Sequence, residues 1–347
     1  MYEGEERRKP CKEAVMCRKM FRKALYLWFL IISIAGCYRV VEEGKVIQCY
    51  TPVWDCSGRK IYFINRIRYW RTIIPATPFA KEETQYRWEY YLMRCDKNGE
   101  DLETLRVIFK QDEYDGWGDT LFTAYLGDIS PSKKILGYRI GEHRGIVILD
   151  SMGRRKKLLL PWGKKPRWAY DYTKVIFEGD EEHPGIWIID TTGDNLRKIL
   201  EEGEFKAYSD RYKMIVFTVD YGRKLCVYSL STEKIDTIMD ISETVPGISF
   251  SVSVDWHFEI NKIIWIEVPS DNIAREKDTL ALWIFDVEID SLINRIFIEN
   301  EELATRSIWD LRWQPYGEYL IFTDDWNMWR IKEDGTCLTK IFSGGKE

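Results

Sequence analysis

The chain has 347 residues, about twice the length of an ordinary single domain, with 45% hydrophobic and 31% charged residues and a net charge of -5. That balance excludes a disordered, collagen-like or polytopic membrane chain, and Lys and Arg scattered among Asp and Glu leave no basic field for nucleic acid. An aromatic content of 14%, with 15 Trp, suits pleated sheets in which large flat side chains fill the space between layers.

The first element is an address. Arg18, Lys19, Arg22 and Lys23 precede the uncharged run Ala24 to Gly36, the positive n-region and short apolar h-region of a secretory signal. The run is shorter than the roughly 20 apolar residues of a membrane-spanning helix, and Arg39 opposes its extension. It ends in Ile34-Ala35-Gly36-Cys37, which resembles the bacterial lipobox: an aliphatic residue, two small residues and a Cys that accepts diacylglycerol. We therefore expect a lipoprotein-type signal peptide over 1–36, with the true start at Met16 or Met20 as an alternative to Met1. Lipidation of Cys37, a short anchor linker over 37–44, and a location on the cell envelope outside the cytoplasm follow. Cys49, Cys56, Cys95, Cys226 and Cys337 remain in the mature part. Cys49 and Cys56 are close enough in sequence to pair, but spacing alone does not decide it.

Beyond the leader one pattern repeats. VWDCSGRKIYFI at 53–64 returns as LRWQPYGEYLIF at 311–322, and the same frame accepts the segments starting at Asp128, Trp168, Tyr208 and Trp256. One column holds Trp54, Asp128, Trp168, Tyr208, Trp256 and Trp313; the column nine residues on holds Phe63, Gly137, Phe177, Phe217, Trp265 and Phe322. A second block with period two follows each time, as in IWIIDTTGDNLRKIL at 186–200. Its turn column holds Asp96, Asp150, Asp190, Ser231, Asp286 and Lys332, with Gly99, Gly153, Gly193 and Gly335 three residues later. Each unit reads as a four-stranded antiparallel meander that cannot bury both faces alone. Six such sheets arranged around an axis cover one another and leave only short edges. The predicted fold is all-β: a six-bladed β-propeller of four-stranded antiparallel blades over 45–345, with its longest departures at 65–87 and 111–125.

Trp313, Pro315, Gly317, Leu320 and Phe322, followed by Trp329 and Gly335, resemble the WD-repeat-like propeller repeat of the TolB family. Trp54, Gly58, Ile61, Phe63, Asp96 and Gly99 match it nearly as well, whereas the second unit carries Asp128 and Gly137 in place of both aromatics. The resemblance implies an exported six-bladed propeller engaged in protein-protein contacts at the envelope. It departs from the family in leaving no room for an α/β domain between Cys37 and Trp54.

Chemistry-bearing motifs are sparse. There is no G-x-S-x-G elbow and no alternating strand and helix pattern for a hydrolase sheet. Metal catalysis at the axis needs several His and carboxylates from different blades, and the chain has three His. His143 and His183 occupy equivalent loop positions and read as exposed turn residues, with a shared ligand pair as the alternative. His257 reads as a turn or core residue. Asp180-Glu181-Glu182, Glu301-Glu302 and Asp324-Asp325 read as solvated acids. Arg154-Arg155-Lys156-Lys157 and Lys164-Lys165-Pro166-Arg167 read as charged strand edges, with a single positive patch as the alternative. Column tryptophans are assigned to packing between blades. Trp70, Trp88, Trp117, Trp162 and Trp326 fall outside the columns, and Tyr69, Trp70, Tyr86 and Trp88 form the densest such group, the expected binding surface. These residues predict a non-catalytic scaffold without metal or cofactor that binds an envelope protein. The alternative is a carbohydrate-binding or carbohydrate-cleaving propeller.

Overall fold

Short runs of β-branched and aromatic residues, bounded by turn residues, form strands along the whole described chain. The computed structural model describes residues 38–75, 81–113, 122–141, 144–240, 253–257, 260–267, 279–304, 306, 308–324 and 326–346. The leader with Cys37 lies outside them, as do Trp117, His143 and Asp325.

Blade 1 comprises β1 (Tyr38–Trp54), β2 (Lys60–Pro75), β3 (Glu83–Asp96) and β4 (Glu103–Lys110). Blade 2 comprises β5 (Phe122–Ile129), β6 (Ile135–Gly141), β7 (Gly145–Leu149) and β8 (Arg155–Leu160). Blade 3 comprises β9 (Lys164–Ala169), β10 (Lys174–Glu178), β11 (Ile186–Asp190) and β12 (Arg197–Leu200). Blade 4 comprises β13 (Glu204–Ser209), β14 (Met214–Val219), β15 (Lys224–Ser229) and β16 (Lys234–Asp240). Blade 5 comprises β17 (Val254–Trp256), β18 (Lys262–Glu267), β19 (Thr279–Asp286) and β20 (Ser291–Glu299). Blade 6 comprises β21 (Trp309–Trp313), β22 (Tyr319–Thr323), β23 (Met328–Lys332) and β24 (Thr339–Phe342). Each blade is an antiparallel meander in chain order, and together they make a six-bladed β-propeller. First strands of successive blades lie against one another, β5 on β9, β9 on β13, β13 on β17 and β17 on β21. The chain therefore starts each blade at the axis and leaves it at the rim. A short β25 (Gly345–Lys346) pairs with β1 through Val46↔Lys346 and Ile47↔Gly345, which ties the end of the ring to its beginning.

Two compact units are distinguished. Among the described residues, one contains 45–68, 88–112 and those from 122 onward, the propeller proper; the other contains 38–44, 69–75, 81–87 and 113. Within the second, Arg71 donates to Gln85 Oε1 from Nε (3.0 Å) and Nη2 (2.8 Å), and the Arg87 guanidinium lies 4.3 Å over the Tyr69 ring.

The turn column behaves as its chemistry dictates. The Asp150 carboxylate accepts the N–H groups of Met152 (3.0 Å) and Arg154 (2.8 Å), and Gly153 takes the left-handed backbone (φ 72°) that closes the reversal. Backbone bonding to Arg154 holds that carboxyl below its ordinary range. Asp96 repeats the arrangement with Asn98 and Glu100.

Both aromatic columns face the preceding blade. Phe177 and Trp168 pack on Leu136 and Ile148 of blade 2, Phe63 and Trp54 on Ile321 and Met328 of blade 6, and Phe322 and Trp313 on Ile264 and Leu282 of blade 5. Blade 2 has Asp128 and Gly137 in these positions, so its junction with blade 1 receives no ring from blade 2's own columns. Blade 1 compensates from its opposite face: Tyr62, Trp88 and Tyr90 pack against Ile135, Val147 and Leu149. The columns give one stability prediction. Phe177→Ala should cost about 3–5 kcal/mol in urea unfolding. Gly137→Ala, whose added Cβ would stand 3.4 Å from its nearest neighbours, should change stability by no more than about 1 kcal/mol.

Candidate functional site: the axial channel

An innermost strand pairs on one side only, and its other edge presents backbone N–H groups to a narrow axis. Among the described residues, a side-chain oxygen of one blade accepts an inner-strand N–H of the next at five junctions. Asp310 accepts from Thr51 (2.9 Å), and Thr51 Oγ1 in turn accepts from Leu126 (2.9 Å). Asp128 accepts from Trp168 (3.3 Å), Glu178 from Phe205 (3.2 Å) and Asp255 from Trp313 (2.7 Å). Asp255 also receives Arg167 Nη2 at 2.9 Å, so one carboxylate joins blades 3, 5 and 6.

At the end where the first strands begin, the axis holds a cavity of about 220 Å³ bordered by Tyr138, Lys165, Arg167, Lys206, Asp310 and Arg312. Its charges meet one another. Glu178 receives Lys164 (2.9 Å) and Lys165 (3.0 Å), and Lys206 pairs with Glu204 at 2.9 Å. Burial pushes the Asp310 carboxyl up, against the pull of Arg312; burial likewise raises Asp128, against Arg167. Burial lowers Arg312, and the neighbouring Arg167 adds to the effect. Glu178 and Asp255 each bond an inner-strand N–H and a cation, and Asp128 and Asp310 accept inner-strand N–H groups, an arrangement that holds a ring together.

At the opposite mouth a hollow of about 170 Å³ is bordered by Cys56, Asp171, Tyr172, Tyr208, Asp210 and Tyr316. Asp210 accepts the N–H groups of Tyr170 (2.7 Å) and Asp171 (3.1 Å) and the Tyr208 hydroxyl (2.9 Å). Cys56 donates to Ile129 O at 3.0 Å, and burial pushes its thiol up to about 12. It carries no disulfide, and neither does Cys49. Tyr316 is 59% exposed, the most open ring of this mouth.

The residues singled out by sequence separate in space and in role. Trp88 is a core residue with 4% exposure, covered by the Arg66 and Arg68 guanidiniums, which corrects its assignment to a binding surface. Tyr69, Trp70 and Tyr86 are half-buried. Trp162 is no free loop indole: it stacks on the His183 ring at 4.2 Å and meets Trp187 edge-on at 5.2 Å. His183 also bonds Asp180 through Nδ1 (2.9 Å). His257 is a core residue whose Nδ1 accepts from the Ile260 N–H, leaving Nε2 to donate to Gly317 O (3.4 Å). Asp324, expected as a solvated acid, is 1% exposed. It accepts from the Trp326 and Asn327 N–H groups and from Trp329 Nε1 (2.8 Å), and pairs with Arg306 at 3.2 Å.

The two basic runs do not form one patch. Arg155 to Lys157 lie on β8, the rim strand of blade 2; Lys164 to Arg167 lie on β9, the axis strand of blade 3. The channel charges escaped the sequence reading because a chain passing from rim to axis does so within a few residues of unremarkable sequence. Among the described residues, no three His, Cys, Asp or Glu side chains converge as a metal site would require.

No protein-family model matches the chain, and no curated protein does. Solved structures do. A chain of a nidogen–laminin complex is 10% identical with a TM-score of 0.51, over 88% of this chain and 97% of that one. A puromycin-hydrolyzing peptidase of Mycobacterium tuberculosis is 10% identical with a TM-score of 0.47, over 86% of this chain and 53% of that one. YCF48 bound to D1 peptide is 10% identical with a TM-score of 0.43, over 87% of this chain and 84% of that one. The first of these supports the propeller fold, and identities this low carry nothing about activity.

The axial bonding yields a second prediction. Asp255→Ala leaves Arg167 without its partner and the Trp313 N–H without an acceptor, and should cost about 3–5 kcal/mol by urea unfolding. Adding Arg167→Met should recover part of that loss, since the uncompensated cation is then gone.

Proposed function

We propose that the chain is a non-catalytic, lipid-anchored β-propeller of the TolB-like kind, held at the cell envelope through Cys37 and acting as a scaffold for a protein partner. The observation that carries this reading is the rim of blade 5. Strand β20 ends its sheet, and its side chains include exposed Leu292, Ile293 and Phe297, the last 57% exposed, with Ile289 exposed in the preceding turn. Two other rim strands carry more basic guards: Arg155, Lys156 and Lys157 on β8, and Arg197 and Lys198 on β12. Lys and Pro are the usual protection of a sheet edge, and β20 has neither. A long apolar edge with few charges is suited to pairing with an extended segment of a partner, whose backbone gives affinity and whose alternate side chains give register. Tyr69, Trp70 and Tyr86 are proposed as a further contact surface.

A carbohydrate-binding reading has one observation in its favour: Tyr172, Tyr208 and Tyr316 gather with Asp171 around the open mouth of the axis. Trp54 and Trp168 at the same mouth are buried and offer no open indole face, so the scaffold reading ranks first.

The test is crosslinking of tagged protein in its native host, followed by detergent solubilisation and identification of what co-purifies. Ile293→Glu with Phe297→Glu should reduce recovery of the partner at least tenfold while the variant stays folded, and Cys37→Ser should release the protein from the membrane fraction. Undiminished recovery with the β20 variant would contradict the docking edge. Glycan-array binding by the soluble domain that is lost in Tyr316→Ala would move the assignment to the saccharide reading.

A further inference from the structure

One cation of the axial cavity lacks what its neighbours have. Lys165 and Lys206 at the cavity border are held by Glu178 (3.0 Å) and Glu204 (2.9 Å), and Arg167 is held by Asp255 (2.9 Å). Arg312, on the innermost strand of blade 6, forms no ion pair with a carboxylate of the described residues. Its guanidinium donates from Nη1 to the carbonyl of its own neighbour Leu311 (3.1 Å), and its Nε is buried without an acceptor. Burial lowers its pKa and the charge of Arg167 adds to this, while Asp255, Asp310 and Asp128 oppose them only through their fields.

Two hydroxyls at the same border are also without partners. Ser253, just before β17, is 5% exposed, and its Oγ is buried and meets no hydrogen-bond partner. Tyr138 on β6 is 8% exposed with its ring stacked on Tyr125 at 4.9 Å, and among the described residues its hydroxyl has no hydrogen-bond partner. The three groups stand round one space. On one side Asp310, two residues before Arg312, takes the Thr51 N–H, and Thr51 Oγ1 takes the N–H of Leu126, next to the Tyr125–Tyr138 ladder pair. On the other side Asp255, two residues after Ser253, joins Arg167 to the Trp313 N–H, beside Arg312. Burial raises the Tyr138 pKa, and the charges of both Asp310 and Arg312 reach its hydroxyl, the first raising and the second lowering it.

We propose that the axial cavity binds a small organic carboxylate, its anionic head held by Arg312, Tyr138 and Ser253 and its apolar tail lying against Leu126, Phe205 and Val254, which complete the border. Buried polar groups without partners are costly, and here a guanidinium edge and two hydroxyls border a space rather than protein acceptors. The guanidinium fork matches the two oxygens of a carboxylate. The Asp310 carboxylate does not serve instead, because Oδ2 is tied to Thr51 at 2.9 Å and the group is out of ion-pair contact with Arg312. Mostly apolar walls with a few convergent polar groups are the usual form of a small-molecule site. A volume of about 220 Å³ exceeds the roughly 150 Å³ that takes a benzene ring, so a carboxylate carrying one ring fits. The inference does not depend on the scaffold reading.

The test is thermal unfolding and titration calorimetry of the purified full-length protein at fixed ionic strength, with sodium acetate, propionate, benzoate or chloride added and benzamide as the uncharged match for benzoate. At least one carboxylate should raise the unfolding temperature saturably, with heat of binding, where chloride and benzamide do not. Arg312→Gln should weaken that carboxylate at least about tenfold and, without ligand, unfold no earlier than the parent, because it removes an unpaired buried cation. Tyr138→Phe and Ser253→Ala, which keep the packing, should each weaken it at least about threefold and keep the test open if Arg312→Gln does not fold. Arg197→Gln, on the rim of blade 3, should leave binding unchanged. Three results would overturn the proposal: no carboxylate exceeding chloride, benzamide matching benzoate, or binding undiminished in Tyr138→Phe and Ser253→Ala.

Discussion

Backbone N–H groups on the axis side of an innermost strand have no neighbouring strand to take them, and an axial cavity of about 220 Å³ holds too few waters to pair with them all. The side chains of Thr51, Asp128, Glu178, Asp255 and Asp310 resolve this by reaching from one blade to the next. Each such bond crosses a junction between sheets that share no ladder, so it fixes how one blade sits on another. Removing charge from water for this purpose is costly unless every lone pair finds a partner. That explains why the cations Lys164, Lys165, Arg167 and Lys206 gather here too.

The outer part of each junction is apolar and follows a different rule. An aromatic ring from the first and second strands of one blade fills the space against the blade before it, and a meander with two apolar faces gains by acquiring two neighbours. The ring tolerates one exception because blade 1 supplies Tyr62, Trp88 and Tyr90 from its far side where blade 2 supplies none. Substitution from the opposite face restores burial without restoring shape, and the remaining space at Gly137 is its consequence.

Legibility in the sequence followed these two rules unequally. Blade number, strand count and the Asp and Gly turns repeat at fixed offsets, so they were readable from Trp54, Phe63, Asp96 and their counterparts. Radial order was not: nothing local in Lys164-Lys165-Pro166-Arg167 distinguishes an axis strand from a rim strand, and the charges that face the channel were therefore read as an edge. Asp324 shows the same limit, since an acid in a turn becomes buried only when Trp329 and Arg306 are folded over it. Trp88 was misjudged because the ring it replaces is missing from a different blade. Interactions between blades leave no mark in the spacing within a blade.

A propeller built this way offers a rigid frame whose axis is lined by its own charges and whose distinctive surfaces lie at the rim and along that axis. Amide hydrogen exchange of the intact protein tests the central structural claim most directly. The inner-strand amides of Thr51, Leu126, Trp168, Phe205 and Trp313 should exchange only with global unfolding, as slowly as ladder amides of the blade centres such as Ile176 and Val216. If these five amides instead exchange at the rates of exposed turns, the blades are not joined by side-chain bonds at the axis, and the channel acids are available for another role.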